Sequence, residues 1–129
     1  MNKITIIGSG RVGSTIAYSL TCRGLASEIV IIDINGERAL GEALDIRQGL
    51  AYDSACQVYA GTYEDAKDSN IVVITSGIAR KPGQSRLELI NTNIAIQKSI
   101  IPMITKYAPD AVYIMVSNPV DILTYSFCR

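Results

Sequence analysis

Residues 4–13, Ile-Thr-Ile-Ile-Gly-Ser-Gly-Arg-Val-Gly, join a short apolar run to three closely spaced glycines. The apolar run predicts a buried strand, and the residues after Gly13 predict a helix. Gly8 allows a tight turn, Gly10 lets the backbone approach a pyrophosphate, and Gly13 lets helix and strand pack closely. The amino end of that helix would direct free N–H groups and a positive dipole at the phosphates. The stretch therefore predicts a dinucleotide-binding turn, although glycines also mark ordinary turns.

The composition of the chain argues against several classes of protein. The 129 residues fit one domain, and 48% of them are hydrophobic, which is enough for a core. Twelve basic and twelve acidic side chains leave a net charge of zero, so we expect no nucleic-acid partner and no anionic membrane partner. No apolar run approaches the roughly 20 residues of a membrane span, and we expect no signal peptide.

Cysteine and histidine usage limits the chemistry that these residues can perform. The three cysteines lack CxxC spacing, which favours reduced thiols in a cytoplasmic protein over a metal site. The chain contains no histidine. A mechanism that needs an imidazole as general base cannot be completed by these residues alone.

Strand and helix patterns alternate along the whole chain. The predicted elements are strands at 4–7, 28–33, 58–61, 70–77 and 111–116, helices at 12–22, 36–49, 86–107 and 120–127, a short helical link at 65–69 and a polar loop at 78–85. Pro102 predicts a kink or a division of the third helix. Continuous β-branched strands are typical of a parallel sheet that is covered on both faces. The fold class is therefore α/β, a doubly wound parallel sheet of the Rossmann type with strand order 3-2-1-4-5, in which a sixth strand is missing.

Asp33 lies at the end of the second predicted strand, twenty residues beyond Gly13. A carboxylate at that place can accept hydrogen bonds from the hydroxyls of the adenosine ribose. It would also repel a 2′-phosphate by several kcal/mol, on the order expected at an effective dielectric of ~20. We therefore expect NAD rather than NADP as the cofactor. The alternative is an aspartate that caps the next helix.

Polar residues follow the fourth and fifth predicted strands, where doubly wound sheets bind ligands. Arg80 and Arg86 flank the loop after the fourth strand, and a guanidinium matches a carboxylate well. Asn118 ends the fifth strand and could donate to a substrate oxygen, whereas Asn-Pro is also a common turn signal. Asn93 could reach the cofactor, although a polar helix face would explain it as well. Loop arginines are, by the same reasoning, most often solvated charges.

Together these segments resemble the N-terminal half of the lactate/malate dehydrogenase family. The resemblance runs from Ile4 to the last residue and rests on GSGRVG at 8–13, Asp33 after EIVII, GEALDI at 41–46, TSGIARKPGQSRLELINTN at 75–93 and VSNPVDILTY at 116–125. The glycine motif is shared with many folds, but the arginine loop and VSNPVDILT are far more specific. In that family, a nicotinamide cofactor exchanges hydride with C2 of a 2-hydroxy acid.

The resemblance implies NAD as cofactor and a role for each matching residue. The cofactor contacts would be Gly8, Ser9, Gly10, Arg11, Val12, Gly13, Asp33, Gly77, Asn93, Val116, Ser117 and Asn118. The glycine turn would hold the pyrophosphate, Asp33 the adenine ribose, and residues 116–118 the nicotinamide end. Asn118 would also hydrogen-bond the substrate, and Arg86 would be the catalytic arginine that polarises the carbonyl when the loop closes.

In the family that this chain resembles, the residue at the position of Arg80 determines which substrate is preferred. Malate enzymes of the family have arginine there, and lactate enzymes usually have glutamine. The second carboxylate of malate needs a partner cation, and leaving such a charge unpaired costs about 2–5 kcal/mol. We therefore expect malate and oxaloacetate to be favoured over L-lactate and pyruvate, although the flanking RLELINTN and VSNPVDILT fit lactate enzymes equally well.

The resemblance places the catalytic histidine and its partner aspartate in a half that follows position 129. We therefore expect residues 1–129 to be the dinucleotide-binding half of a two-domain dehydrogenase, without the substrate domain and inactive alone. The family also implies a homo-oligomer, dimer or tetramer, that associates through the helix at 36–49. The alternative is a non-catalytic module that senses NAD(H) or serves in oligomerisation.

Overall fold

The computed structural model describes residues 2–49, 56–76, 83, 85–116 and 120–128. The strands are β1 (Lys3–Ile7), β2 (Glu28–Ile32), β3 (Gln57–Ala60), β4 (Ile71–Ile74) and β5 (Val112–Met115). The α-helices are α1 (Arg11–Cys22), α2 (Gly36–Gly49), α3 (Arg86–Tyr107) and α4 (Val120–Cys128), and a 3₁₀ helix spans Tyr63–Ala66. Within the described ranges, no helix combines the length and apolar composition that crossing a bilayer requires.

The five strands form one parallel sheet in the order β3-β2-β1-β4-β5. β1 lies at the centre, where Ile4 is opposite Ile29 of β2 on one side and Ile71 of β4 on the other. The strand order reverses at β1, because β2 and β3 lie to one side of it and β4 and β5 to the other. The predicted doubly wound α/β fold is confirmed.

Successive residues of the central strands feed two separate cores. Ile6 packs in the core that includes residues of α1 and α2, and its neighbour Ile7 packs in the core that includes residues of α3. Both side chains are at most 2% exposed. Burying an aliphatic side chain of this size stabilises a fold by about 1.5–3 kcal/mol. This two-sided burial is the reason why the strands have continuous apolar runs rather than alternating ones.

Pro102 does not divide the third helix. α3 runs from Arg86 to Tyr107 with Pro102 inside it, so of the two predicted outcomes, a kink or a division, the division is wrong. Proline cannot donate the helical hydrogen bond to the carbonyl four residues earlier. Pro102 is exposed, however, whereas Ile100 and Ile104 on either side of it are at most 2% exposed and pack onto the sheet. Their burial holds the helix together across the proline.

β5 is an edge strand that is covered less completely than the others. Its side chains alternate between exposed and half-buried, and Val112 and Ile114 are 63% and 45% exposed. Both residues lie on the side of the sheet that faces α1, because Ile114 pairs with Val73 of the α1-side core. Among the described residues, nothing covers this apolar face of the strand as α1 and α2 cover β1 and β2.

A stability measurement tests the close packing of α1 against β1. A Cβ atom on Gly13 would lie 1.9 Å from the carbonyl oxygen of Gly8, so Gly13→Ala forces the helix away from the turn. We expect this substitution to lower the free energy of unfolding by about 3 kcal/mol in chemical denaturation. Gly41→Ala in α2 is the control: a Cβ there meets no atom within 4 Å. It should stabilise the chain by up to about 1 kcal/mol. Equal stability of the Gly13→Ala chain and its parent would contradict the packing.

Candidate dinucleotide-binding site

The turn after β1 is held between the ends of β2 and β4. Gly8 has a φ of +107°, which an L side chain rarely adopts, and its N–H donates to the carbonyl of Ile32 at 2.7 Å. The Thr75 hydroxyl donates to the carbonyl of Ile7 at 3.0 Å. A Cβ on Gly8 would lie 2.6 Å from that hydroxyl oxygen. The tight turn predicted at Gly8 and the close approach predicted at Gly13 are both confirmed.

The amino end of α1 opens on the same turn. The residue that precedes the helix is Gly10, which has no side chain to cap the free N–H groups. The first turn contains no acidic residue, so no carboxylate on the helix itself offsets the positive end of the dipole. Arg11 and Val12 are exposed there, whereas Ser9 is buried at 1% exposure. The arrangement suits an anion such as a pyrophosphate.

Asp33 contacts the glycine turn directly. Its Oδ2 accepts hydrogen bonds from the backbone N–H of Ser9 at 2.7 Å and from the Ser9 hydroxyl at 2.6 Å. Its Oδ1 accepts from the backbone N–H of Asn35 at 3.0 Å. The side chain that caps α2 is that of Asn35, whose Oδ1 accepts from the backbone N–H of Arg38 at 3.1 Å. The alternative in which Asp33 serves as the cap of this helix is therefore wrong.

The surroundings of Asp33 keep its carboxylate ionised. Burial raises the pKa of this group, but the hydrogen bond from the Ser9 hydroxyl, the two backbone hydrogen bonds and the positive charge of Arg38 outweigh that effect. The pKa of Asp33 is therefore held below its ordinary value. At neutral pH the group is a hydrogen-bond acceptor with a full negative charge.

A cavity of about 250 Å³ joins the glycine turn to Asp33 at the carboxyl edge of the sheet. Its lining residues are Ile7, Gly8, Gly10, Asp33, Ile34, Arg38, Tyr63, Thr75, Ser76, Ile96 and Ile100. Three of these, Gly8, Gly10 and Asp33, were predicted from the sequence. The cavity lies beside β1, where the strand order reverses, which is the usual ligand position in such sheets.

Several residues of this cavity were not predicted from the sequence. Ile34 is 88% exposed although it is apolar, and its place directly after Asp33 was the one available signal. Tyr63 comes from the 3₁₀ helix, which the sequence pattern did not assign to the site. Burial raises the pKa of the Tyr63 phenol, and the charge of Asp33 raises it further. The phenol therefore stays protonated and able to donate.

The other predicted residues lie outside this cavity or outside the described residues. Four of them lie outside the described residues: Gly77, Arg80, Ser117 and Asn118. Arg86 is exposed and is the first residue of α3, directly after Ser85, whose hydroxyl accepts from the N–H of Glu88 at 3.1 Å.

Asn93 belongs to the buried side of α3 rather than to a polar exposed face. It is 2% exposed, so the explanation by a solvated helix face is wrong. One turn further along, Gln97 donates from Nε2 to the sulfur of Met115 at 2.9 Å. Met115 is the last residue of β5 and directly precedes Val116. Gln97 thus lies beside the carboxyl end of β5.

These features define a class of protein. A glycine turn at an uncapped helix mouth, an ionised carboxylate at the end of the neighbouring strand and a cavity between them are the parts of a Rossmann-type dinucleotide-binding domain. Within the described part of the chain, no group of three or more cysteine, aspartate or glutamate side chains is arranged to hold a metal ion.

Residues 2–129 match the family model described as lactate/malate dehydrogenase, NAD binding domain, and the chain belongs to this family. An L-lactate dehydrogenase from Clostridium perfringens is 55% identical over 124 residues, which are 96% of this chain and 39% of that protein. The chain thus spans about two fifths of the length of the curated relatives it matches.

Solved structures of the family superpose closely on the chain. A minor L-lactate dehydrogenase from Enterococcus mundtii in a ligands-bound form has a TM-score of 0.93 and 44% identity, over 98% of this chain and 40% of that one. A malate dehydrogenase from Archaeoglobus fulgidus in complex with NADH has a TM-score of 0.92 and 38% identity, over 97% of this chain and 43% of that one. The cofactor of this domain is NAD.

The ionised state of Asp33 predicts a pH dependence of stability. Because the pKa of Asp33 is lower in the folded chain than in the unfolded one, its contribution is present above about pH 4 and is lost as the pH falls through the folded value. The difference in free energy of unfolding between the parent and Asp33→Asn should therefore shrink between about pH 6 and pH 3 in urea denaturation. Asp45→Asn, which removes an exposed carboxylate of α2, controls for net charge. A difference that is constant over this range would contradict the assignment.

Proposed function

We propose that this chain is the cofactor half of an oxidoreductase that transfers hydride between NAD(H) and C2 of a small 2-hydroxy or 2-keto acid. The observation that supports this most directly is the Asp33 carboxylate, which the Ser9 backbone holds at the rim of the cavity that Gly8 and Gly10 also line. An ionised acceptor there suits the diol of an adenosine ribose and disfavours a 2′-phosphate. NAD is the cofactor that fits both requirements.

In the proposed complex, the successive parts of the cofactor contact different residues along the carboxyl edge of the sheet. Residues 8–13 hold the pyrophosphate at the mouth of α1, and Asp33 accepts from the adenosine ribose. Ile34 supplies apolar surface beside Asp33 for the adenine. The nicotinamide end lies towards β4 and β5, where Gly77, Asn93 and residues 116–118 meet it.

The proposed substrate contacts surround that nicotinamide end. Arg86 polarises the substrate carbonyl, and Asn118 hydrogen-bonds the substrate. Arg86 suits this role because it is exposed and is the first residue of α3, the helix that follows β4 along the chain. A guanidinium stays charged when water is excluded, so it keeps its effect in a closed site.

We propose that residues 1–129 form one of two domains and turn over no substrate alone. The chain contains no histidine, so it provides no imidazole base. The exposed apolar face of β5, with Val112 and Ile114, suits a covering layer from a second domain. A non-catalytic module that binds NAD(H) is the second candidate, which the absence of histidine favours. The presence of Arg80, Arg86 and Asn118 together favours the dehydrogenase.

For the substrate, we propose L-lactate and pyruvate as the first pair and malate and oxaloacetate as the second. The names of the relatives that are about half identical to the chain support the first pair. The malate preference that Arg80 predicts receives no specific support from the comparisons, since relatives of both names match. Arg80 nevertheless supports the second pair, because its charge would suit the extra carboxylate.

We also propose a cytoplasmic homo-oligomer. Leu40 and Leu44 of α2 are 51% and 43% exposed, and Tyr18 of α1 is 56% exposed. Apolar side chains on the outside of two neighbouring helices suit self-association through α2. The cysteines Cys22, Cys56 and Cys128, all in the described part of the chain, form no disulfide, which suits a reducing compartment.

The residue at position 33 should determine how strongly the chain prefers NADH to NADPH. Asp33→Ser removes the charge that repels a 2′-phosphate and leaves Arg38 in the same cavity to attract it. The ratio of the Kd for NADPH to that for NADH should fall by about tenfold or more, measured by nucleotide fluorescence titration of the 129-residue chain. Asp45→Ser serves as the charge control. An unchanged ratio of the two Kd values would contradict a contact between Asp33 and the adenosine ribose.

The charge of Arg80 should raise the activity towards oxaloacetate relative to that towards pyruvate. The measurement uses a chimaera in which this chain replaces the matching segment of the Clostridium perfringens relative, so that both halves are present. Replacing Arg80 with Gln should raise the pyruvate-to-oxaloacetate ratio of kcat/KM by about 30-fold. Lys81→Gln removes a neighbouring positive charge and should leave the ratio within about threefold, a factor worth well under 1 kcal/mol. A similar ratio for all three proteins would refute the role of Arg80.

A further inference from the structure

Gln97 is a polar residue on the side of α3 that packs onto the sheet. It is 1% exposed, and the buried residues that follow it on α3, Ile100 and Ile104, are apolar and belong to the core on this face of the sheet. An amide at such a position needs partners for both of its polar atoms, because burial removes the water that would otherwise bond to them. Apolar packing alone does not explain a glutamine here.

The amide of Gln97 has a weak partner for one polar atom and none for the other among the residues that the structure describes. Its Nε2 donates to the sulfur of Met115 at 2.9 Å, and a thioether sulfur is a weak acceptor. Its Oε1 is buried and accepts from no donor in those residues. A buried amide oxygen without a donor destabilises a fold. Glutamine at this position therefore lowers stability relative to an apolar side chain of the same length.

The contact with Met115 holds the carboxyl end of β5 from the side of α3. Met115 is the last residue of β5. The next residue, Val116, donates its backbone N–H to the carbonyl of Ile74 at 2.9 Å, which holds the chain to β4. The end of β5 is thus held by its backbone on one side and by a side chain of α3 on the other. Residues 117 and 118, which the proposed function assigns to the nicotinamide end, follow directly in the sequence.

The helix that carries Gln97 also carries Arg86. Arg86 is the first residue of α3 and lies eleven residues before Gln97, which corresponds to about 16 Å of helix. Ile100 and Ile104 hold the following turns of α3 on the sheet. A continuous helix that contacts β5 at Gln97 therefore also sets the position of Arg86 relative to the end of β5.

We propose that Gln97 is a positioning residue that holds the carboxyl end of β5 against α3 and so places the residues that meet the nicotinamide end of the cofactor. The inference rests on the proposed function, which assigns residues 116–118 to that end. The adenosine half of the cofactor is assigned to the cavity beside Asp33, and Gln97 does not line that cavity. Loss of the Gln97 contact should therefore weaken binding of the nicotinamide half and leave binding of the adenosine half unchanged.

The experiment compares NADH with ADP-ribose, which has the adenosine diphosphate part of the cofactor but no nicotinamide. Fluorescence titration of the 129-residue chain gives the Kd for NADH, and displacement of NADH gives the Kd for ADP-ribose. In the parent chain, ADP-ribose should bind about tenfold or more weakly than NADH. In Gln97→Met, which keeps the length of the side chain but removes the amide, NADH should bind about fivefold more weakly. The Kd for ADP-ribose should stay within about twofold of the parent value.

The second partner of the contact gives an independent test. Met115→Leu conserves the volume of the side chain and removes the sulfur that accepts from Gln97. It should weaken NADH binding by a similar factor to Gln97→Met, and the double variant should bind no more weakly than either single variant. Effects of the two substitutions that multiply in the double variant would overturn a role of Gln97 through Met115.

Two control variants of α3 separate this role from a general effect on the helix. Ser99→Ala removes an exposed hydroxyl that donates to the carbonyl of Ile96, and it should leave both Kd values unchanged. Ile104→Val leaves a small cavity in the core and should lower the thermal midpoint of unfolding by a few degrees, on the order of 2–5 °C. It should still leave the ratio of the two Kd values unchanged. A ratio that falls as much in Ile104→Val as in Gln97→Met would overturn the role of Gln97.

The outcomes distinguish the failure of this inference from the failure of the proposed function. Equal binding of NADH and ADP-ribose by the parent chain overturns the nicotinamide contacts and the role of Gln97 with them. A preference for NADH that is the same in the parent and in Gln97→Met overturns the role of Gln97, while the nicotinamide contacts stand. Equal weakening of both ligands in Gln97→Met also overturns it, because such a change acts on the whole site.

Discussion

The approach of α1 to the turn after β1 is the contact on which the fold and the site both depend. The carbonyl oxygen of Gly8 lies so close to Gly13 that a Cβ atom there would be 1.9 Å away. The Thr75 hydroxyl closes the other side of the turn, 2.6 Å from the place that a Cβ on Gly8 would take. Because no side chain separates helix from strand, the amino end of α1 opens at the carboxyl edge of the central strand.

The amino end of α1 and the charged carboxylate of Asp33 border the same cavity. The strand order reverses at β1, so the ends of β2 and β4 both border the turn that follows β1. Burial alone would favour a neutral carboxyl, but the donors from Ser9 and Asn35 and the charge of Arg38 outweigh it. One ligand can therefore meet a positive helix end and a negative carboxylate. A dinucleotide, with an anionic pyrophosphate and a neutral diol, matches this pair of charges.

The sequence predicted the features that depend on local pattern. Apolar runs between helical segments were sufficient for the strand order, because a doubly wound sheet permits few connections. The tight turn at Gly8 followed from glycine spacing. Features that depend on packing between distant segments were not predicted: Tyr63 reaches the cavity from the 3₁₀ helix, and the sequence left open whether Asn93 lies on a polar exposed face, whereas it is buried.

Two local alternatives, Asp33 as a helix cap and a division of α3 at Pro102, are wrong for a related reason. Asp33 and Asn35 are both good helix caps by residue type, and the contact between Asp33 and Ser9 leaves the cap to Asn35. Pro102 usually ends a helix, but the buried neighbours Ile100 and Ile104 hold α3 on the sheet. In each case a tertiary contact outweighed a local preference. Such a contact between distant segments cannot be predicted from a single sequence.

In the proposed function, the glycine turn and Asp33 bind the adenosine diphosphate part of NAD(H) together. A crystal structure of the chain with NADH tests it most directly. We expect the pyrophosphate against the backbone N–H groups of residues 10–13 and a ribose hydroxyl within hydrogen-bond distance of Asp33. NADH bound at another surface, or a turn that stays empty at saturating NADH, would contradict it.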